Sequence, residues 1–317
     1  MIPFLLHGTT LALACFLAIN LLLCAFVVMI VRREPRTSSP AFWFGLRVLP
    51  AIAAAAFVSI VFVPSYWLYE PRDFAEGFDV SLTALAIAAL VMFGAGAARG
   101  GAAWRRAKRR SRVWMRTACL IDLGTDRVPA FAIEAPAPIM ALVGVWRPRL
   151  LVTRGLIDAL TEEELTASIA HELGHFRAWD NLKRLLMSAA PDLLAPTSMA
   201  RFIERQWARA AEHAADRLCG AETPAFRCAL ASALVKVARL TPPEPALADP
   251  ISTLVGGGDI ALRVHILLDD RAGPAVCRRR RLPSLTAAFA FAALVAAYGP
   301  LLRTVHEVTE LLVHALP

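Results

Sequence analysis

Tyrosine is scarce in this chain and paired cysteines are absent. Only three Tyr occur in 317 residues. The six Cys are Cys15, Cys24, Cys119, Cys219, Cys228 and Cys277, and no two form a C-x-x-C pair. That removes the usual signature of a redox dithiol or a Cys-ligated zinc module. Cys15 and Cys24 fall in an apolar run. The other four fall in a segment assigned below to the cytosol, where thiols stay reduced. Cys219 and Cys228 therefore read as small buried apolar residues rather than metal ligands. Gly94 and Gly96 lack the strand–turn–helix context of a nucleotide fingerprint and read instead as close helix packing or a helix end. There is no internal repeat and no low-complexity tract beyond alanine richness. The net charge is +8, but no recognition motif accompanies the basic stretches, which argues against nucleic-acid binding.

What the chain has in excess is apolar sequence. Hydrophobic residues make up 57% and the mean hydropathy is +0.53, above the roughly 45–50% apolar share of a soluble domain. The excess lies in runs at about 11–31, 49–69, 80–97 and 285–302, each near the roughly 20 residues needed to cross a bilayer. No basic residue precedes the first run, which is also too long for a signal-peptide core. Pro64 is a candidate kink in the second, and Tyr66, Trp67 and Tyr69 resemble an interfacial aromatic belt.

Charge between the runs assigns an orientation. Arg32, Arg33, Arg36 and Arg47 follow the first run. The loop after the second carries Glu70, Asp73, Glu76 and Asp79 against one Arg72. Arg99, Arg105, Arg106, Lys108, Arg109, Arg110, Arg112 and Arg116 follow the third, and Arg278–Arg281 precede the fourth. The positive-inside rule then places the N-terminus outside, residues 99–281 in the cytosol and the short tail 303–317 outside. A buried core helix is the other reading of 285–302, because Tyr298, Gly299 and Pro300 weaken its end. No ionisable residue lies well inside any run, which disfavours a transporter.

The block 99–281 has the size of one domain. Short apolar runs at 130–134, 139–145 and 150–153, separated by Pro136, Pro138 and Pro148, read as strands of a small sheet. Helical patterns fill most of the remainder. Ala195-Pro196 and Thr241–Pro245 mark breaks, and Gly256–Gly258 a flexible connection.

One stretch within this block carries chemistry. His171-Glu172-Leu173-Gly174-His175 is an H-E-x-x-H sequence. Thr161 and Glu164 make a capping-box signature ahead of it, and the acidic first turn suits the helix dipole. In a helix, His171 and His175 at i and i+4 share a face and can hold one metal ion. Glu172 beside them can take a proton from a water whose pKa zinc lowers to roughly 7. A catalytic zinc needs a third protein ligand. Glu212 is the first candidate, with Asp216 at i+4 placed to accept the free ring N–H of a ligand His. Glu204 and His213 are rivals, and a solvated helix face with surface ion pairs is the bland alternative.

The segment from about 130 to 220 resembles the BlaR/MecR-type antirepressor membrane metallopeptidases, themselves related to HtpX and the CAAX-prenyl endopeptidases. The resemblance rests on Val143–Val152 (VGVWRPRLLV), Thr161–Leu165, His171–His175, Asp180-Asn181-Leu182 and Glu212–Asp216, in the family's order. It implies a mostly α-helical integral membrane protein with four transmembrane helices. A cytosolic α+β zincin domain of gluzincin type would lie between spans three and four. It implies Zn2+ on His171, His175 and Glu212, Glu172 as general base and Asp216 behind the ligands. Arg263 and Asn181 are implied candidates for a substrate or oxyanion contact. The implied activity is a zinc metalloendopeptidase of the bacterial-type inner membrane, cutting a cytosolic repressor of BlaI/MecI type. HtpX-like quality control of membrane proteins and a non-catalytic signalling scaffold are the alternatives. Antibiotic-sensing relatives carry a penicillin-binding domain after the fourth span. Here no S-x-x-K motif follows it, so such a sensor is expected to be lacking.

Overall fold

The computed structural model describes residues 1–33, 39–72, 80–125, 128–220, 223–240, 260–269 and 284–314. Arg36, the acidic residues Asp73, Glu76 and Asp79, the break at Thr241–Pro245, Gly256–Gly258, Cys277 and Arg278–Arg281 lie outside the described residues.

Among the described residues, three helical stretches are long and apolar enough to cross a membrane: Ile2–Arg32, Pro40–Tyr69 and Val80–Trp114. The first is helix α1. The second consists of α2 (Pro40–Phe57), a π-helical turn (Val58–Phe62) and α3 (Val63–Tyr69), and the third is α4. On α1 the buried positions Phe4, His7, Leu11 and Ala14, and then Phe16, Asn20, Cys24, Val27 and Val31, keep three- and four-residue spacing. Leu21, Leu22, Leu90 and Val91 stay exposed, the outward apolar surface expected of helices bathed in lipid. Pro64 has no N–H for the carbonyl of Ile60 four residues back. The helix widens into the π-turn just before it, and Tyr298 donates its hydroxyl to Ile60 O at 2.6 Å.

The helices outrun the apolar sequence at several ends. The second starts at Pro40, nine residues before the run, because Ser39 caps it by accepting from Phe42 N at 3.4 Å and Pro40 sits in its first turn. Arg47, assigned from charge to a loop, is therefore a helical residue and is 1% exposed. α4 continues to Trp114, so the basic stretch from Arg99 is helix rather than a loop. The expected fourth span is the first part of α11 (Ser284–His314), and the expected tail after Leu302 continues that helix. Cys228 is exposed, contrary to its reading as a buried apolar residue, and so is Cys119.

The intervening domain has a four-stranded sheet of β1 (Cys119–Ile121), β2 (Ala130–Ile133), β3 (Met140–Val143) and β4 (Arg149–Thr153), in the order β1-β2-β4-β3. β2 pairs parallel with β4, and the outer strands pair antiparallel. Both faces are covered, which is why the strands are continuously apolar. On one face Leu142, Leu150 and Val152 meet Leu156 of α5 (Arg154–Ala159), Ala167 and Ile169 of α6 (Glu162–Arg177), and Leu230 and Leu234 further along the chain. On the other, Ile133, Ala141, Val143 and Leu151 meet Trp114 and Met115 at the end of α4. α6 is followed by α7 (Asp180–Ala189), α8 (Ser198–Gly220), α9 (Pro224–Leu240) and α10 (Ile260–Leu268).

This domain is seated on the three long apolar helices rather than tethered to them. Gly96 and Gly100 of α4 face the end of α7, where a Cβ would lie 2.6 Å from Ala189 O and 2.7 Å from Ala189 Cβ. Arg99 donates to Ala190 O at 2.8 Å, closing the end of α7. Arg47 pairs with Asp192 at 2.5 Å and Glu204 at 2.8 Å, and donates to Met187 O at 2.9 Å. Asn20 of α1 donates to Pro191 O and accepts from Leu193 N. Replacing Arg47 by Met leaves Asp192, 2% exposed, without its cation. The expected loss is about 3–5 kcal/mol, to be read as a drop in the unfolding midpoint in detergent, whereas replacing the exposed Arg33 leaves the midpoint unchanged.

Candidate active site

The capping box predicted ahead of HELGH is present. Thr161 Oγ1 accepts from Glu164 N at 3.3 Å, and Glu164 Oε2 accepts from Thr161 N at 2.9 Å. Glu164 also accepts from Ser232 (2.6 Å) and Lys236 (2.7 Å), fixing α6 to α9. From this start α6 carries His171 and His175 on one face, ring centroids 4.9 Å apart. α8 crosses beside it at Gly174, where a Cβ would touch Ala215 at 3.4 Å. That close approach brings Glu212 opposite both rings.

His171 Nε2 lies 3.5 Å from Glu212 Oε2, and His175 Nε2 lies 3.6 Å from Glu212 Oε1. A tetrahedral zinc with ligands at about 2.0–2.2 Å sets neighbouring ligand atoms about 3.3–3.6 Å apart. His171, His175 and Glu212 are buried, and His175 Nε2 has no hydrogen-bond partner among the described residues. A buried imidazole nitrogen aimed at a carboxylate and a second imidazole fits a zinc ligand set.

The outward nitrogens are held from behind. His171 Nδ1 is 3.0 Å from Asp216 Oδ1, and His175 Nδ1 is 2.8 Å from Asp180 Oδ2. Each ring thus has a carboxylate beside its outward nitrogen, and the Asp180 hydrogen bond orients His175. Asp216 occupies the place foreseen for it. Asp180 was not foreseen in this role. Trp179, at φ 58°, turns the chain between α6 and α7 and swings Asp180 back onto the ring. The signal available in sequence was an acidic residue just past the second His. Of the rivals for third ligand, Glu204 is on the Arg47 side of α8, and His213 is outside the cluster of ligand atoms.

Arg263 enters from α10. Its Nε and Nη2 donate to Asp216 at 2.8 and 2.7 Å, and its Nη1 lies 3.0 Å from Glu212 Oε2. It is 3% exposed. Asn181 donates to Leu142 O at 2.9 Å and Gly144 O at 3.0 Å, bracing the outer edge of β3. Glu172 Oε2 accepts from Leu142 N at 3.3 Å on that same edge.

Electrostatics follow from these contacts. Burial disfavours a charged His171, yet the Asp216 and Glu212 carboxylates outweigh it and lift the pKa to about 9. Burial likewise opposes the Glu212 and Asp216 carboxylates, but His171 beside both, His175 beside Glu212 and Arg263 hold their pKa values below the usual range. Asp216 and Glu212 raise the Arg263 pKa despite its burial. Arg184 stands over the Trp207 ring at 5.3 Å, and burial draws its pKa down.

Residues 105–205 match peptidase family M48. The matched stretch contains the HELGH helix, Asp180 and Asn181, and ends before Glu212. No curated protein matches the chain. Residues 105–205 thus resemble the M48 metallopeptidases, and the described residues include three helices long and apolar enough to span a membrane.

Asp180→Ala is expected to weaken zinc binding about 10–100-fold, measured by competition with a chromogenic chelator. An equal loss is expected for Asp216→Ala. Wild-type affinity in both variants would refute the positioning of the two rings by these carboxylates.

Proposed function

We propose that this chain is a membrane-embedded zinc metalloendopeptidase of the BlaR/MecR antirepressor type. The carrying observation is the buried convergence of His171, His175 and Glu212, with Glu172 next to His171 in the same helix. Zinc, when bound there, polarises the scissile carbonyl and makes water a nucleophile near neutral pH. His171, His175 and Glu212 hold it. Glu172 takes the proton from the attacking water and passes it to the departing amine. Asp180 and Asp216 keep the two rings in register. Arg263 holds Glu212 and Asp216 through Nε, Nη1 and Nη2, so it acts first as a positioning residue.

An extended substrate would add to the free edge of β3. The outward groups of that edge already have partners: Leu142 N–H donates to Glu172, and Leu142 and Gly144 carbonyls accept from Asn181. Substrate pairing therefore displaces Asn181, which then becomes available to the substrate backbone. His171 and Glu172 are 0% exposed, so cleavage also requires α10 or the β3 edge to move.

The proposed orientation puts the peptidase domain in the cytosol and the N-terminus outside, in a bacterial-type inner membrane. Arg32, Arg33 and the basic part of α4 lie at the end of the helices on which the domain sits, which supports that side as the cytosolic one. α11 would supply the fourth span and a C-terminus outside. The substrate class is a cytosolic protein, with a BlaI/MecI-like transcriptional repressor as the first choice. Direct seating of the domain on the span ends favours a second reading, cleavage of membrane proteins in the manner of HtpX.

Glu172→Gln separates enzyme from scaffold. It should lower turnover by about 10²–10⁴-fold while zinc content stays at the wild-type level. Comparing cellular protein fragments in cells carrying wild type or Glu172→Gln identifies the substrate. Cleavage by the variant at the wild-type rate sinks the mechanism. Tight zinc missing from the wild-type protein favours the scaffold.

A further inference from the structure

The basic part of α4 has no counter-charge of its own. Between Val80 and Ile121 the chain carries eight Arg and Lys residues and no Asp or Glu. Two of the eight are engaged: Arg99 donates to Ala190 O, and Arg110 lies over the Trp114 ring at 5.7 Å. Arg105, Arg106, Lys108 and Arg109 are exposed, and among the described residues no carboxylate pairs with them. We infer that, on the membrane-embedded reading above, this turn of α4 and the exposed Arg32 and Arg33 at the end of α1 bind anionic phospholipid headgroups of the leaflet on the side of the peptidase domain.

The turn faces away from that domain. Gly96 and Gly100 mark the side of α4 that meets the end of α7. Arg105 comes nine residues after Gly96, and Arg109 nine after Gly100. Nine residues make about two and a half turns of helix, which puts both arginines on the opposite side. Contact with the sheet begins only further on, at Trp114 and Met115.

The cations of the two helices stand at one level. Phe16 of α1 and Phe93 of α4 have ring centroids 4.7 Å apart. Further along, Asn20 donates to Pro191 O at 3.1 Å, and a Cβ on Gly96 would lie 3.3 Å from Cα of the same Pro191. α1 and α4 therefore run parallel and in step. Arg33 and Arg109 each lie thirteen residues past that shared contact. Trp104, 40% exposed, precedes Arg105, the place an aromatic takes where a span meets water. From Ala84 to Trp104 the helix rises about 30 Å, which matches the hydrocarbon thickness of a bilayer. Arg105 to Arg109 then fall within about 8 Å beyond Trp104, at headgroup depth.

Six cations at that depth favour a lipid as the occupant. Attraction to anionic headgroups falls off within a Debye length, about 8 Å at physiological salt. Arg112 and Arg116, about 12 and 18 Å beyond Trp104, stand outside that range. They are the two cations left to an acidic protein standing clear of the membrane. A topology signal requires only charge in a loop, whereas the continuous helix holds these cations in a fixed patch.

The test places the full chain in nanodiscs of equal phosphatidylcholine and phosphatidylglycerol and counts the lipids it retains by native mass spectrometry. Wild type should retain phosphatidylglycerol in preference. Arg105→Gln/Arg106→Gln/Lys108→Gln/Arg109→Gln should lower that preference at least about tenfold, and Arg112→Gln/Arg116→Gln should leave it within about twofold. Arg105→Lys/Arg106→Lys/Arg109→Lys should keep it, because a headgroup responds to charge. All these side chains are exposed, so the variants are expected to fold. Equal retention of the two lipids by wild type overturns the proposal. So does an unchanged preference in the four-residue variant, or an equal loss in Arg112→Gln/Arg116→Gln. A wild-type chain that stays out of the nanodiscs and dissolves without detergent sinks the membrane-embedded reading itself.

Discussion

Burying carboxylates demands positive charge, and the peptidase domain is arranged around that demand. Glu172, Asp180, Glu212 and Asp216 are all buried within one cluster. Arg263 and Arg184 lie inside it and Lys183 at its rim, 3.4 Å from Asp180. The rise of the His171 pKa to about 9 expresses the same field, since the cluster draws a proton onto a ring that burial would keep neutral. A field that holds a proton there also favours a divalent ion. Helix packing at Gly174, the turn at Trp179 and the insertion of α10 all bring charged groups to one point.

The same logic operates where the domain meets the membrane helices. Arg47 is held within the second spanning helix by Asp192, Glu204 and a backbone carbonyl. Around it lies apolar packing from Val27, Trp43, Leu46, Ile203 and Trp207. Arg47 supplies position more than energy, because a buried ion pair roughly offsets its own desolvation. It fixes the rotation of α2 against α8, the helix that carries Glu212. The third-ligand candidate is therefore registered against the membrane segment through a single helix.

Much of the peptidase was legible from residues alone. The capping box, the i and i+4 histidines and the Glu212–Asp216 pair are local patterns, and local patterns survive into three dimensions. Strands β2, β3 and β4 were legible as apolar runs between prolines. β1 was missed because three exposed or half-exposed residues carry no period. Asp180 escaped because its placement depends on one left-handed residue, Trp179, which is neither glycine nor asparagine and gives no warning. Arg47 and the basic end of α4 are helical because charge alone does not end a helix. Arginine, lysine and alanine are good helix formers, and Ser39-Pro40 marks the true start of the second helix. Asn181 could be named from its motif, but only the sheet edge shows what its amide holds.

The continuity of α4 has a consequence for the molecule's fate. One unbroken helix runs from the apolar stretch at Val80 to Trp114, whose ring packs under the sheet. A cut near residue 98 would not release a working soluble fragment. It would remove Arg47 from Asp192, strip Gly96 from Ala189 and expose the apolar seats of α7 and α8. The three apolar helices are in effect a structural subunit of the domain that happens to be covalently attached, and any process that sheds the domain also strips the seats of α7 and α8.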